Sequence, residues 1–214
     1  MRYQNPLIVG VTGGMGSGQS TVCSFLEKWG CKVINADAQA KEVISKNKQL
    51  QHDLKKVFGN DIFFNNNTLN AKRLAELAFN DELQTRKLNQ LVHPRMVESL
   101  IEEMERARFS GRFPMIVIDA ALIFEISIER NFDYIITVHA SIKLRQQRVF
   151  QRDNISRKQF NDRVSKQLLL EDKVKWSDYV IYNKGTVEEL ETNTRKIFDD
   201  LMAKQKQSEK KAAS

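Results

Sequence analysis

Five of the nine glycines in this 214-residue chain fall within its first eighteen positions. They are ordered: the apolar run Leu7–Val11 leads into Gly13-Gly14-Met15-Gly16-Ser17-Gly18-Gln19-Ser20-Thr21, and an amphipathic stretch continues to Trp29. Glycine admits backbone angles closed to other residues, so such a loop can turn its N–H groups inward. The start of a helix then adds a favourable dipole for an anion. Gly13, Gly18 and Ser20 keep the spacing of the G-x-x-x-x-G-K-[ST] phosphate loop, with Ser20 where that motif's hydroxyl meets Mg2+. The motif's lysine is missing. Position 19 is Gln, whose amide can donate to phosphate but brings no charge.

The rest of the chain alternates two patterns. Leu7–Thr12, Lys32–Ala36, Met115–Asp119, Tyr134–Val138 and Tyr179–Tyr182 are short runs rich in Val and Ile, as expected of strands buried on both faces of a parallel sheet. Helical spacing marks Ser20–Trp29, Ala38–Lys46, Ala71–Ala78, Asp81–Ala107, Ile142–Arg152, Arg157–Leu169 and Val187–Lys204. Ser156 with Gln159, and Thr186 with Glu189, have the form of capping boxes. Strand–helix alternation predicts an α/β fold, a parallel sheet flanked by helices. The second and third strands are separated by a long, mostly helical stretch. Residues 40–110 therefore read as a helical insertion with a polar loop at Gly59–Thr68, residues 1–40 and 110–205 as the core, and 205–214 as a frayed basic tail.

Composition narrows the function classes. The longest apolar-leaning run, Pro114–Ile126, is broken by Asp119 and Glu125, so no membrane span is expected and the chain reads as soluble and cytoplasmic. Cys23 and Cys31 are too few and wrongly spaced for a disulfide framework or zinc knuckle, and read as buried free thiols. Net charge is +7, but the last eleven residues hold four lysines against one glutamate. The remaining excess suits phosphorylated small molecules as well as nucleic acid, and charge alone does not decide, but no nucleic-acid motif or aromatic stacking platform is present. No nucleic-acid partner is expected.

Beyond the loop, VINADAQA (Val33–Ala40), Leu91-Val92-His93-Pro94, VIDAALIFE (Val117–Glu125), QQRVFQRD (Gln146–Asp153), Gln167 and LEDKVKWSDYVIYNKG (Leu170–Gly185) follow in order. In this the sequence resembles the dephospho-coenzyme A kinases over about residues 7–200. The resemblance implies a P-loop kinase core, a helical substrate-binding insertion and a lid at about 145–170. It implies ATP with Mg2+ and transfer to the ribose 3′-hydroxyl of dephospho-coenzyme A.

By that resemblance Gly13, Gly14, Met15, Gly16, Ser17, Gly18, Gln19, Ser20 and Thr21 form the ATP phosphate site, and Asn183 lies near the adenine, with a plain turn residue ahead of Gly185 as its alternative reading. Asp37 matches the acid that orients or deprotonates the ribose hydroxyl. A plain N-cap for the helix from Ala38 is its alternative reading. Arg148 and Arg152 match lid arginines and, four apart on a helix, share a face; a solvated charged face is the alternative. His93 matches a substrate-binding position, or is structural beside Pro94. Ser20 and Asp119 are the candidate Mg2+ ligands. Four positions depart from the family pattern: Gln19 for lysine, Asn35 for the first acid of a DAD triplet, Ala121 for proline and Ser177 for alanine. The last two read as packing adjustments. For Gln19 three explanations stand open. Another cation such as Arg148, Arg152 or Lys173 supplies the charge, the chain binds nucleotide without turnover, or a one-base change has removed a lysine.

Overall fold

The computed structural model describes residues 3, 5–79, 81–153 and 155–212, and the chain divides into two compact units. The first comprises residues 1–34 and 104–214, the second residues 35–103.

The first unit is built on a five-stranded parallel sheet of β1 (Leu7–Gly13), β2 (Lys32–Asn35), β3 (Met115–Asp119), β4 (Tyr134–His139) and β5 (Tyr179–Tyr182), in the order β2-β3-β1-β4-β5. Central β1 pairs in parallel with β3 and β4, and β4 with β5. All five residues of β3 are buried, as expected of a strand covered on both faces. Val9, Val11, Val117, Ile136, Val138 and Ile181 pack against Val22, Phe25 and Leu26 of α1 (Gln19–Lys28). Leu190, Phe198 and Leu201 of α9 (Val187–Ala212) complete that core. β1 has β3 on one side and β4 on the other, so the connections diverge at its carboxyl end. That is the switch point where open α/β sheets open a crevice for ligands, and the glycine loop leaves β1 there.

The second unit is helical: α2 (Ala36–Lys46), α3 (Lys48–Phe58), α4 (Ala71–Ala78) and most of α5 (Glu82–Ser110). Ile44, Leu50, Leu54, Phe58, Ile62, Leu74, Ala78 and Val92 form its own apolar cluster. Helix α3 was not among the expected helices, although Leu50, Leu54 and Phe58 repeat every four residues and Asn47 caps it by accepting from the Leu50 N–H at 2.9 Å. The expected polar loop at Gly59–Thr68 contains a 3-10 turn at Asn60–Ile62 and a bridge between Phe63 and Leu69.

In the first unit α6 (Ile142–Asp153) is followed by α7 (Arg157–Val164), so the expected helix 157–169 stops at Val164, and by α8 (Leu170–Trp176), which was not expected. Both capping boxes form. The tail does not fray from 205. Helix α9 runs to Ala212, and buried Gln205 donates to the Asn5 carbonyl at 2.8 Å, an anchor that polarity of the tail did not reveal. Residues 213 and 214 lie outside the described residues. Among the described residues no helix is long and apolar enough to cross a membrane.

Candidate phosphate site

The loop is shaped by two left-handed glycines, Gly16 at φ +80° and Gly18 at φ +98°, angles at which a side chain would be strained. Neither has room for one. A Cβ on Gly16 would lie 2.6 Å from the Arg145 carbonyl oxygen, and one on Gly18 would lie 2.3 Å from Asn183 Nδ2. The Ser17 N–H closes a turn on the Gly14 carbonyl at 2.9 Å, and the Met15 N–H donates to Gln167 Oε1 at 3.1 Å. The N–H groups of Gly16, Gly18, Gln19 and Ser20 make no hydrogen bond among the described residues. At the start of α1 they form a set of unsatisfied donors suited to an anion.

Gln19 is not idle. Its Nε2 donates to Asp119 Oδ1 at 2.5 Å, tying the loop to the end of β3, where Asp119 is buried. Cys23 sits one turn further along α1. Burial, followed by the negative charge of Asp119, pushes its thiol well above the ordinary range. Ser20 is exposed and Thr21 half-buried at the helix start.

Asn183, just past β5, is buried and braces the loop: its Nδ2 donates to the Ser17 carbonyl at 2.7 Å. Arg148 from α6 holds it, donating through a terminal nitrogen to Asn183 Oδ1 at 3.1 Å. Arg152, one turn on, is instead exposed and forms a two-pronged pair with neighbouring Asp153 at 2.6 and 2.8 Å. The two arginines expected to act together thus have different partners in this state. Lys173 is fully buried, its Nζ donating to Glu125 Oε1 and to the Ala121 carbonyl, both at 2.6 Å. Ala121 also accepts from Thr12 Oγ1 at 3.3 Å. The Ser177 hydroxyl donates to the Lys173 carbonyl at 2.7 Å and contacts Thr137 Oγ1. Read from sequence as a packing adjustment, Ser177 is a polar latch.

Sequence reasoning missed Arg145. This α6 residue is only 7% exposed. A Cβ on Gly14 would come within 2.4 Å of one of its terminal nitrogens, so the guanidinium lies directly on the loop. Its Nε is buried without a partner among the described residues. Burial lowers its pKa, opposed by the charge of Glu171. Nothing in IKLRQQRVFQRD separates Arg145 from its charged neighbours, so no sequence signal was available.

In the second unit, Asn35 caps α2, its Oδ1 accepting from the Ala38 N–H at 2.8 Å. Asp37 stands exposed in the first turn, and the capping role proposed as its alternative belongs to Asn35. His93 is half-buried inside α5, next to Pro94, and burial lowers its pKa. No group of three or more metal-ligating His, Cys, Asp or Glu side chains occurs among the described residues. Mg2+ does not need one, since it commonly takes one or two carboxylates plus phosphate oxygens and water.

Comparison with known proteins shows the family. The dephospho-CoA kinase family model matches residues 7–189. A dephospho-CoA kinase of Chlorobaculum tepidum is 32% identical over 206 residues, 94% of this chain and 98% of that protein. Among solved structures, TT1252 from Thermus thermophilus matches with a TM-score of 0.77 at 30% identity, over 92% of this chain and 98% of that one. The dephospho-CoA kinase from Campylobacter jejuni, at 20% identity and a TM-score of 0.63, shares the fold over 91% of this chain and 97% of its own.

Proposed function

This chain belongs to the dephospho-CoA kinase family, and we propose that it transfers the γ-phosphoryl group of ATP to the ribose 3′-hydroxyl of dephospho-CoA, more slowly than it would with lysine at position 19. The observation that carries the reading is the glycine loop at the sheet's switch point, with four N–H groups unsatisfied among the described residues. Such a loop holds polyphosphate through backbone donors and the α1 dipole, and neither depends on a lysine.

In this reading Gly13–Thr21 hold the ATP phosphates, and Asn183 keeps the loop in shape close to the adenine. Asp37 accepts the proton of the attacking hydroxyl, a role a carboxylate fills through hydrogen-bond contact with that hydroxyl. His93 contributes to holding the substrate in the helical unit. Arg148 and Arg152 belong to a lid at about 145–170 that closes over the phosphates and excludes water. The Ser20 hydroxyl and the Asp119 carboxylate are hard oxygen donors of the kind Mg2+ takes. When bound, Mg2+ would neutralise charge on the phosphate oxygens.

The test is coenzyme A formation from ATP and dephospho-CoA by the native chain and by Asp37→Asn. We expect transfer by the native chain, a fall of about 10²–10⁴ in kcat for Asp37→Asn, and little change in ATP affinity. Unchanged transfer in the variant would dismiss Asp37 as the base. ATP binding without transfer by the native chain would favour a second reading, a nucleotide-binding relative without turnover. That reading is motivated by Gln19, whose neutral amide is engaged with Asp119.

A further inference from the structure

We propose that Arg145 supplies to the loop-bound polyphosphate the positive charge that position 19 lacks. Three other basic side chains were candidates for that role. Lys173 is held by Glu125 and Arg152 by Asp153, whereas Arg148 braces Asn183 through one terminal nitrogen and keeps the other buried without a partner among the described residues, with no contact to a loop glycine such as Arg145 makes with Gly14. Arg145 has no ion pair among the described residues, although more than nine-tenths of it is removed from solvent.

A buried guanidinium without a carboxylate is costly to maintain. It becomes favourable when an anion arrives, because Arg offers donors in a rigid fork that matches phosphate oxygens. Arg145 is placed to receive that anion. Its terminal nitrogen lies against Gly14, its carbonyl oxygen against Gly16, and Val149 one turn on also touches Gly16. The guanidinium and the α6 backbone thus both lie against the loop. Only glycine at 14 leaves room for the guanidinium, since a Cβ would overlap it. A lysine at 19 would reach the phosphates from the helix start; Arg145 reaches the loop from α6. The substitution at 19 is in this way partly offset by a residue more than a hundred positions away.

The inference rests on the loop holding ATP, as proposed above, but not on turnover. ATP and adenosine affinities would be measured by calorimetry, with Mg2+ present, for the native chain, Arg145→Gln, Gln19→Lys and the double variant. We expect Arg145→Gln to weaken ATP binding about tenfold or more while adenosine affinity stays unchanged. Gln19→Lys should strengthen ATP binding by less than tenfold in the native chain and by about tenfold or more in the Arg145→Gln background. An ATP affinity within tenfold of native in Arg145→Gln would overturn the inference, as would a parallel loss of adenosine. If Arg145→Gln does not fold, Gln19→Lys alone decides: a gain of tenfold or more in ATP affinity would mean that no charge was in place. Native ATP binding without coenzyme A formation defeats the proposed reaction and leaves this test intact. No ATP binding by the native chain overturns both.

Discussion

Helices α6 and α8 each bury a cation beside the carboxyl end of the sheet, and the two are solvated by protein in opposite ways. Lys173 on α8 is fully buried and ringed by oxygen: Glu125 Oε1 and the Ala121 carbonyl, each at 2.6 Å. Desolvation lowers its pKa, and the bond to Glu125 works against that shift. Arg145 on α6 is almost as buried, yet the charge opposing its desolvation comes from Glu171, with which it forms no ion pair among the described residues. A buried charge held by a counter-charge is costly to break, because removing one partner strands the other. One that lacks a counter-charge is a cost the native state carries and a ligand can relieve. The difference separates a structural cation from one poised for an anion.

The largest expected effect tests the structural half. Lys173→Met should leave the half-buried Glu125 carboxylate without its cation and cost about 3–5 kcal/mol in urea unfolding; a loss below about 1 kcal/mol would break the contrast. Arg145→Leu, measured the same way, should change stability by no more than about 1 kcal/mol, or raise it, because an unpaired charge is replaced by an apolar side chain. A loss as large as that of Lys173→Met would make Arg145 structural too. As a smaller reference in the helical unit, Asn35→Ala removes the α2 cap and should cost about 1 kcal/mol.

His93 refines the comparison with a neutral group. Burial lowers its pKa from 6.5, so the unfolded chain takes the proton first. Its contribution is complete above pH 6.5 and lost as pH falls through the folded value. His93→Gln should flatten that part of the stability–pH curve, and an unchanged curve would remove His93 from the account. Least affected should be the thiols. Cys23 and Cys31 are buried, and desolvation pushes Cys31 up to about 12. Both should resist alkylation at pH 8 in the folded chain and react on unfolding; rapid labelling of the native protein would contradict their burial.

What could be read without coordinates was local. The glycine loop, the five strands, the boxes at Ser156 and Thr186 and the buried thiols each express a preference carried by neighbouring residues, where backbone geometry and period decide. Helix α3 was legible too, through the stripe of Leu50, Leu54 and Phe58 and the Asn47 cap. The break between α7 and α8 was not legible. The segment between them is held from outside, by Gln167 on the Met15 N–H and by the Leu168 N–H on Glu125.

By itself, then, the sequence determined the α/β fold class, the phosphate loop and the vacancy of charge at position 19, since each rests on residue type and spacing within a few turns of chain. The tertiary structure alone decided which basic side chain meets the loop. Arginines on one helix have the same chemistry; what tells them apart is burial and partners. Those are set by distant contacts, of α6 with a loop more than a hundred residues earlier, for which no local preference in the sequence is a substitute.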